Sequence, residues 1–169
     1  PAETTPSAIA AAPNVSVPAL IFSGSADGVT PPAEHHIPIY NGLTSSCKSF
    51  VSISGGAHCY YANTDFNCDF GESVSSPSIS ITRAAQQTAM FGLLDPWLDF
   101  KLKGICESYA AFLLGISSQP GTVNESICPA LPIVMLGNDP NQGAGVYCSS
   151  ETGLSYQWYM DNQPIIGET

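Results

Sequence analysis

The chain has 169 residues, a net charge of −10 at pH 7 and 44 % hydrophobic residues, a composition typical of a globular protein and not of a disordered one. Its few positive charges argue against nucleic acid or an anionic membrane surface as a partner, because both require a basic patch. No apolar stretch approaches the length of a membrane span. The length predicts one ordinary domain or parts of two.

The first half of the chain predicts a strand, a helix and a second strand. Ser7–Ala12 is interpreted as the end of a helix, and the apolar run Ala19–Ser23 predicts a parallel strand covered on both faces. Thr30–Glu34 carries the signals of a helix start, and the helix is expected to reach Leu43. Lys48–Ser54 predicts a second strand, placed nearer the sheet edge because its polarity alternates more. This order favours a right-handed parallel crossover in an α/β sheet.

Each predicted strand is followed by one ionisable residue. Asp27 comes just after the first strand, and His58 follows Gly55-Gly56-Ala57 after the second. Ligands of open α/β sheets bind beyond the carboxyl ends of the strands, and an Asp followed by a His matches the acid and base of an α/β-hydrolase triad. We therefore predict that the two side chains meet at hydrogen-bond distance. The alternatives are a turn-forming Asp before Gly and an ordinary loop histidine.

The middle of the chain predicts a loop and two helices. Tyr60–Ser80 is polar and rich in Gly, Ser and Asn, which predicts a long loop. Ile81–Gly104 predicts a helix with an apolar stripe, a kink or restart at Asp95-Pro96 and a C-cap at Gly104. A shorter helix is predicted over Glu107–Leu114.

Six cysteines without a C-x-x-C pair indicate disulfides and not a zinc site, which favours an oxidising, extracellular location. We predict the pairs Cys59–Cys68 and Cys106–Cys128. Cys47 and Cys148 have no local partner, and each is expected to pair with a missing segment or to stay free. The neighbouring histidines His35 and His36 are not expected to bind a metal, because adjacent helix positions point apart. No metal or cofactor is predicted.

The residues after Pro129 differ in character from those before it. Short β-like runs follow a turn cluster, and Cys148 followed by Trp158 resembles the start of an immunoglobulin-like sandwich. Aromatic residues 156, 158 and 159 are interpreted as sandwich core, with a carbohydrate-binding surface as the alternative. The predicted division is a C-terminal part of a hydrolase domain over 1–128 and a linker with a truncated β-rich tail over 129–169.

Four spaced motifs from about Asn14 to Cys128 resemble the cutinase-like polyester hydrolases, bacterial α/β hydrolases that include enzymes acting on poly(ethylene terephthalate). The motifs are Val17-Pro18-Ala19-Leu20-Ile21-Phe22, Asp27-Gly28-Val29-Thr30-Pro31, His35-His36-Ile37-Pro38-Ile39-Tyr40-Asn41 and Gly55-Gly56-Ala57-His58. The resemblance implies the last parallel strands and helices of an α/β-hydrolase fold and an ester or polyester substrate. It implies that Asp27 is the triad acid, His58 the base and Val29 part of the acyl-binding cleft. It also implies that His35 lies away from the chemistry.

The sequence contains no G-x-S-x-G motif. Since α/β hydrolases order the triad as Ser, Asp and His, the nucleophile is expected before Pro1. The prediction is therefore a secreted serine ester hydrolase of which this chain carries the Asp and the His, and the chain alone is expected to be inactive. The alternatives are a dienelactone-hydrolase-like enzyme with a Cys nucleophile and a binding or adhesion protein with an inert hydrolase-like region.

Overall fold

A computed structural model describes residues 6–118, 122–128, 133–135, 146–148, 159–160 and 163–164. The chain divides into two compact units, Pro1–Ala130 and Leu131–Thr169. In the described residues, no helix is both long enough and apolar enough to cross a membrane.

The first unit combines a three-stranded sheet with helices, an α/β arrangement. Its elements in chain order are α1 Ala8–Ala11, a 3₁₀ turn Ala12–Asn14, β1 Ala19–Gly24, α2 His36–Gly42, β2 Lys48–Ile53, a 3₁₀ turn Cys59–Tyr61, α3 Phe66–Ser75, α4 Arg83–Lys103, α5 Cys106–Ser118 and β3 Thr122–Ile127. The predicted strand–helix–strand order is confirmed, although α2 begins at His36, later than the Thr30–Glu34 signal indicates.

The sheet has the order β1-β2-β3. β1 and β2 are parallel, with Ala19 opposite Lys48 and Gly24 opposite Ile53, so both strands end at the same edge. β2 also pairs with the antiparallel β3, which makes it the central strand, and the prediction that β2 lies nearer the sheet edge is wrong. Alternate residues of β2 are buried, so its alternating sequence pattern shows that one face of the strand is covered. Such a pattern does not indicate whether a strand is central or at the edge of its sheet.

Helix α3 lies inside the stretch predicted as a long loop. Asp65 caps it, since its carboxylate accepts a hydrogen bond from the Cys68 backbone N–H at 2.9 Å. Phe66, Phe70 and Val74 recur at the i, i+4, i+8 spacing of a helix, but the loop prediction followed the polar, Gly-, Ser- and Asn-rich composition of the stretch and not this pattern. All three side chains are exposed. The loop prediction for Tyr60–Ser80 is therefore wrong over ten of its residues.

Helix α4 runs unbroken through Pro96, so the predicted restart at Asp95 is wrong, whereas the C-cap at Gly104 is confirmed. Packing against α5 explains the continuity. The rings of Phe100 and Tyr109 lie 4.5 Å apart between centroids, and Leu93 is fully buried. This contact stabilises the turns on both sides of the proline, which outweighs the one backbone hydrogen bond that Pro96 cannot donate.

The disulfides are Cys47–Cys128 and Cys59–Cys68. The second pair confirms the prediction. The first contradicts the predicted Cys106–Cys128 pair, and it also shows that the expectation for Cys47, a partner in a missing segment or a free thiol, is wrong. The reason is the sheet register: Lys48 of β2 lies opposite Ile127 of β3, so the residues next to them, Cys47 and Cys128, are neighbours at the end of this ladder. The side chains of Cys106 and Cys148 lie outside the described residues.

In the second unit, the described residues form two short antiparallel pairs. Strand β4, Ile133–Met135, pairs with β5, Val146–Cys148, and β6, Tyr159–Met160, pairs with β7, Gln163–Pro164. The predicted immunoglobulin-like relation between Cys148 and Trp158 falls outside the described residues and stays a prediction.

Candidate active site

Asp27 lies in the turn that follows β1, at the carboxyl edge of the parallel pair. It is 4 % exposed, and its Oδ1 accepts hydrogen bonds from the backbone N–H groups of Val29 at 2.9 Å and Thr30 at 2.7 Å. Gly28 is needed here, because a Cβ at this position would lie 1.9 Å from the carbonyl oxygen of Ser75. Two backbone N–H groups of the turn therefore bind Oδ1, and Oδ2 is left to face the end of β2.

His58 reaches Asp27 from the loop that follows β2. Gly55 has a φ of 67°, a left-handed conformation that glycine adopts without strain, and this turns the chain back toward β1. The His58 Nδ1 lies 3.0 Å from Asp27 Oδ2, and its side chain is 40 % exposed. Because an ionised carboxylate only accepts, the Nδ1–H of His58 donates and Nε2 is left without a proton in the neutral ring.

The hydrogen bond between Asp27 and His58 shifts the pKa of each group toward its charged form. The hydrogen bond to Asp27 is the main reason that the pKa of His58 is raised, against the opposing effect of burial. Burial acts to raise the pKa of Asp27, but the hydrogen bonds from His58 and Thr30 outweigh it and set that pKa below its ordinary value. The pair therefore holds a carboxylate anion beside an imidazole that accepts a proton readily.

Glu72 of α3 anchors the backbone of the His58 loop. It is 1 % exposed, and its two carboxylate oxygens accept the backbone N–H groups of His58 and Cys59, the latter at 2.7 Å. The Cys59–Cys68 disulfide ties the same loop to the same helix. Both contacts act on the residue that carries the imidazole or on its neighbour, so α3 positions His58 through its main chain.

Helix α4 holds the loop from the other side. Gln86 is fully buried and pairs with the peptide groups of Ala57, accepting its N–H and donating to its C=O, both at 2.8 Å. Arg83 donates to the backbone carbonyls of Cys59 and Ala62 and pairs with Asp69 of α3. The residues on both sides of His58 are thus held by side chains from two helices.

We expect Glu72→Gln to lower the free energy of unfolding by about 1–3 kcal/mol, because the amide NH₂ would face a buried backbone N–H that then has no acceptor. Urea unfolding followed by circular dichroism measures the change. The control is Glu107→Gln on α5, an exposed acid whose loss is expected to change stability by less than about 0.5 kcal/mol. Equal effects of the two substitutions would contradict an anchoring role for Glu72.

The structure brings together Asp27 and His58 and adds two residues that sequence reasoning missed. Thr30 Oγ1 lies 2.9 Å from both Asp27 Oδ2 and His58 Nδ1, and His36 Nε2 lies 3.2 Å from the same hydroxyl oxygen. In the sequence, Thr30 carries only the signal of a helix start, and the adjacent pair His35-His36 is considered only as a metal ligand. The contact of Thr30 with Asp27 is local, since the two residues lie three apart in one turn. No sequence pattern indicates the contacts of Thr30 with His58 and His36, because they form only when the turn, the His58 loop and the start of α2 pack together.

Val29 is half-buried beside Asp27, and its predicted place in an acyl-binding cleft stays a prediction. Among the residues that the structure describes, no group of three or more His, Cys, Asp or Glu side chains is arranged to hold a metal ion. The arrangement of Asp27, Thr30 and His58 suits proton transfer at His58 Nε2.

A known family matches this region of the chain. Residues 3–80 match the PETase family, described as PET hydrolase-like. The match includes β1, Asp27, β2, His58 and α3, and it supports a relationship of this region to PETase- and cutinase-like hydrolases. No curated protein matches the chain.

The PETase-like region, residues 3–80, contains both members of the hydrogen-bonded pair, which lie at the edge where its two parallel strands end. The resemblance predicted from the four motifs is supported over this part of the chain. The supported kind of function is hydrolysis of an ester or polyester. The residues after 80 lie outside the matched region, including the helix that supplies Gln86 and Arg83.

Proposed function

We propose that the chain is part of a secreted serine ester hydrolase of the polyesterase kind, with Asp27 as the triad acid and His58 as the base. The observation that carries the proposal is the 3.0 Å contact between His58 Nδ1 and Asp27 Oδ2 within the PETase-like region. The substrate class is a carboxylic ester or polyester.

In the proposed mechanism, His58 Nε2 takes the proton of the serine nucleophile and then protonates the leaving alcohol. The same nitrogen activates the water that hydrolyses the acyl-enzyme. Asp27 holds the ring in the tautomer with its proton on Nδ1 and stabilises the imidazolium. The partial exposure of the His58 ring fits this role, because the nitrogen that reacts must be reachable, whereas the buried Asp27 needs no access to substrate.

Val29 is proposed to line the acyl-binding cleft. Its backbone N–H donates to Asp27 Oδ1, so its position is coupled to that of the acid. A half-buried aliphatic side chain two residues beyond the triad acid offers apolar contact to an acyl group without interrupting the hydrogen bonds of Asp27.

The nucleophile is proposed to lie N-terminal to Pro1, because the 169 residues hold no G-x-S-x-G motif and hydrolases of this class place Ser before Asp and His. Secretion is proposed from the two disulfides, which persist in oxidising compartments.

The chain by itself is expected to show no ester hydrolysis above buffer with p-nitrophenyl acetate or butyrate, because no acyl-enzyme forms without a nucleophile. The positive control is the longer polypeptide that includes the upstream segment, which is expected to hydrolyse both esters. Turnover by the 169-residue chain that a serine-reactive phosphonate abolishes would contradict the placement of the nucleophile. A longer polypeptide that is folded but inactive would contradict the proposed function.

A further inference from the structure

A partly buried series of hydrogen bonds runs from the end of β1 to the Asp27–His58 pair. Ser23, which is fully buried, has its Oγ 2.8 Å from His36 Nδ1. The other ring nitrogen of His36 lies 3.2 Å from Thr30 Oγ1, and Thr30 Oγ1 lies 2.9 Å from Asp27 Oδ2. His36 itself approaches Asp27 no closer than 4.0 Å, so its path to the carboxylate runs through the Thr30 hydroxyl.

The number of available protons fixes which atom donates and which accepts in each of these hydrogen bonds. The ionised Asp27 only accepts, so the single proton of the Thr30 hydroxyl has to point at Oδ2. Thr30 Oγ1 is then an acceptor toward both ring nitrogens that face it, His58 Nδ1 at 2.9 Å and His36 Nε2 at 3.2 Å. The contact to His36 requires a proton on His36 Nε2, as the contact to His58 agrees with the proton on its Nδ1. In a neutral ring His36 Nδ1 consequently has none, and it accepts the hydroxyl proton of Ser23. The opposite tautomer would draw the Thr30 proton toward His36 and leave two oxygens, Oγ1 and Oδ2, facing each other without a proton between them.

We propose that His36 is a positioning residue of the Asp27–His58 pair, whose Nε2–H tautomer directs the Thr30 hydroxyl proton onto Asp27. The inference deepens the proposed function and rests on it in taking Asp27 and His58 as the catalytic acid and base. The hydroxyl so directed supplies Asp27 with a third donor beside the two backbone N–H groups, and it leaves the remaining acceptor capacity of Oδ2 to His58.

The surroundings keep the His36 ring neutral. Burial is the main cause that lowers the pKa of His36, and the charges of His58 and His35 act in the same direction, while Asp27 opposes them. A proton taken up by the site therefore goes to His58 and not to His36. The proposed role requires His36 to stay neutral while His58 takes up the proton. A charged His36 would offer two N–H donors and leave the Ser23 hydroxyl proton without its acceptor.

The test uses the ¹⁵N-labelled 169-residue chain and needs no nucleophile or substrate. Ring ¹⁵N shifts from long-range ¹H–¹⁵N correlation spectra are expected to show His36 with its proton on Nε2 and an unprotonated Nδ1, from neutral pH down to values at which His58 is already protonated. His36 with its proton on Nδ1, or protonation of His36 before His58, would overturn the proposal.

Two matched pairs of variants separate the effect of losing a hydrogen-bond donor from the effect of changing side-chain volume. Thr30→Val removes the hydroxyl and is expected to raise the pKa of Asp27 by about one unit, whereas Thr30→Ser keeps it and is expected to leave that pKa near the wild-type value. His36→Leu is expected to raise the pKa of Asp27 by roughly half a unit, whereas His36→Gln, which retains an N–H donor, is expected to restore most of the shift. Carboxyl ¹³C titration measures both.

The outcomes distinguish this inference from the proposed function. Equal Asp27 titration in the Leu and Gln variants at position 36, both folded, would overturn the role of His36 while leaving the Asp27–His58 pair intact. If the Leu variant does not fold, the wild-type tautomer and the Thr30 pair decide the question. None of these readouts measures activity, so failure of the longer polypeptide to hydrolyse esters bears only on the proposed function.

Discussion

Replacing Asp27 with asparagine is expected to lower the turnover of ester hydrolysis about 10⁴-fold in the longer polypeptide that carries the nucleophile. His58→Ala is expected to remove nearly all of it. The reason for the Asp27 effect lies in the fixed donors around the carboxylate. The backbone N–H groups of Val29 and Thr30 point at Oδ1, so the amide oxygen of an asparagine has to occupy that position.

The amide NH₂ of the introduced asparagine would then replace Asp27 Oδ2, 3.0 Å from His58 Nδ1. A donor at this place forces His58 to accept at Nδ1 and to carry its proton on Nε2, the nitrogen that must be unprotonated to act as the base. An asparagine side chain has nearly the shape of the aspartate that it replaces, so the expected loss arises from the wrong tautomer and not from a cavity.

The 169-residue chain allows the same substitution to be tested without activity. The pKa of His58 is raised chiefly by its hydrogen bond to Asp27, so in Asp27→Asn it is expected to fall below the wild-type value, with burial now acting unopposed by that bond. NMR titration of the ring protons measures this directly. Asp95→Asn, an exposed acid on α4, is the control and is expected to leave the titration of His58 unchanged.

The pH dependence of stability gives a second readout. Asp27 has a lowered pKa, so its contribution is present above its ordinary pKa of 3.8 and is lost as the pH falls through the folded value. His58 has a raised pKa, so its contribution is present below its ordinary pKa of 6.5 and is lost as the pH rises through the folded value. The stability gap between wild type and Asp27→Asn is therefore expected to be largest between these two pH values. A gap that does not change with pH would count against the pair.

Removing the Cys47–Cys128 disulfide by a double alanine substitution is expected to lower the free energy of unfolding by about 4–5 kcal/mol. The bond joins residues 81 apart in sequence, so it closes a long loop and restricts the unfolded chain strongly. It also joins the ends of β2 and β3, the central strand and its antiparallel neighbour. Urea or thermal unfolding of the oxidised chain measures the loss.

The matched control is the double alanine variant at Cys59 and Cys68, which are 9 residues apart. Because the shorter loop restricts the unfolded chain less, the expected loss is smaller, about 2–3 kcal/mol. An equal or larger loss at the short loop would show that local contacts of α3, and not closure of the unfolded chain, determine the contribution of these bonds.

The elements that the sequence predicted correctly are those with local signals. The apolar run of β1, the β-rich run of β2 and the helix between them were predictable, because burial on a sheet and helix signals are local patterns. The positions of Asp27 and His58 followed from the same two strands, since parallel strands place their carboxyl ends at one edge.

The two main errors have different causes. Helix α3 was predicted as a loop from its Gly, Ser and Asn content, although Phe66, Phe70 and Val74 recur at helical spacing, and its one deeply buried side chain is the carboxylate of Glu72. The disulfide of Cys128 was assigned to a partner near in sequence, whereas the antiparallel register of β3 on β2 places it beside Cys47. Neither the use of an acid to bind a backbone turn nor the register of a distant strand leaves a periodic signal in the chain.

The sequence by itself determined the parallel strand pair, the presentation of an acid and an imidazole at its edge and the resemblance to polyester hydrolases over that region. Only the tertiary structure decided which groups surround this pair: the Thr30 hydroxyl and His36 on one side, Glu72 and Gln86 on the other. The physical reason is that hydrogen bonds act over about 3 Å and depend on direction. They are formed by whichever side chains packing brings together, and packing joins residues whose spacing in sequence carries no pattern.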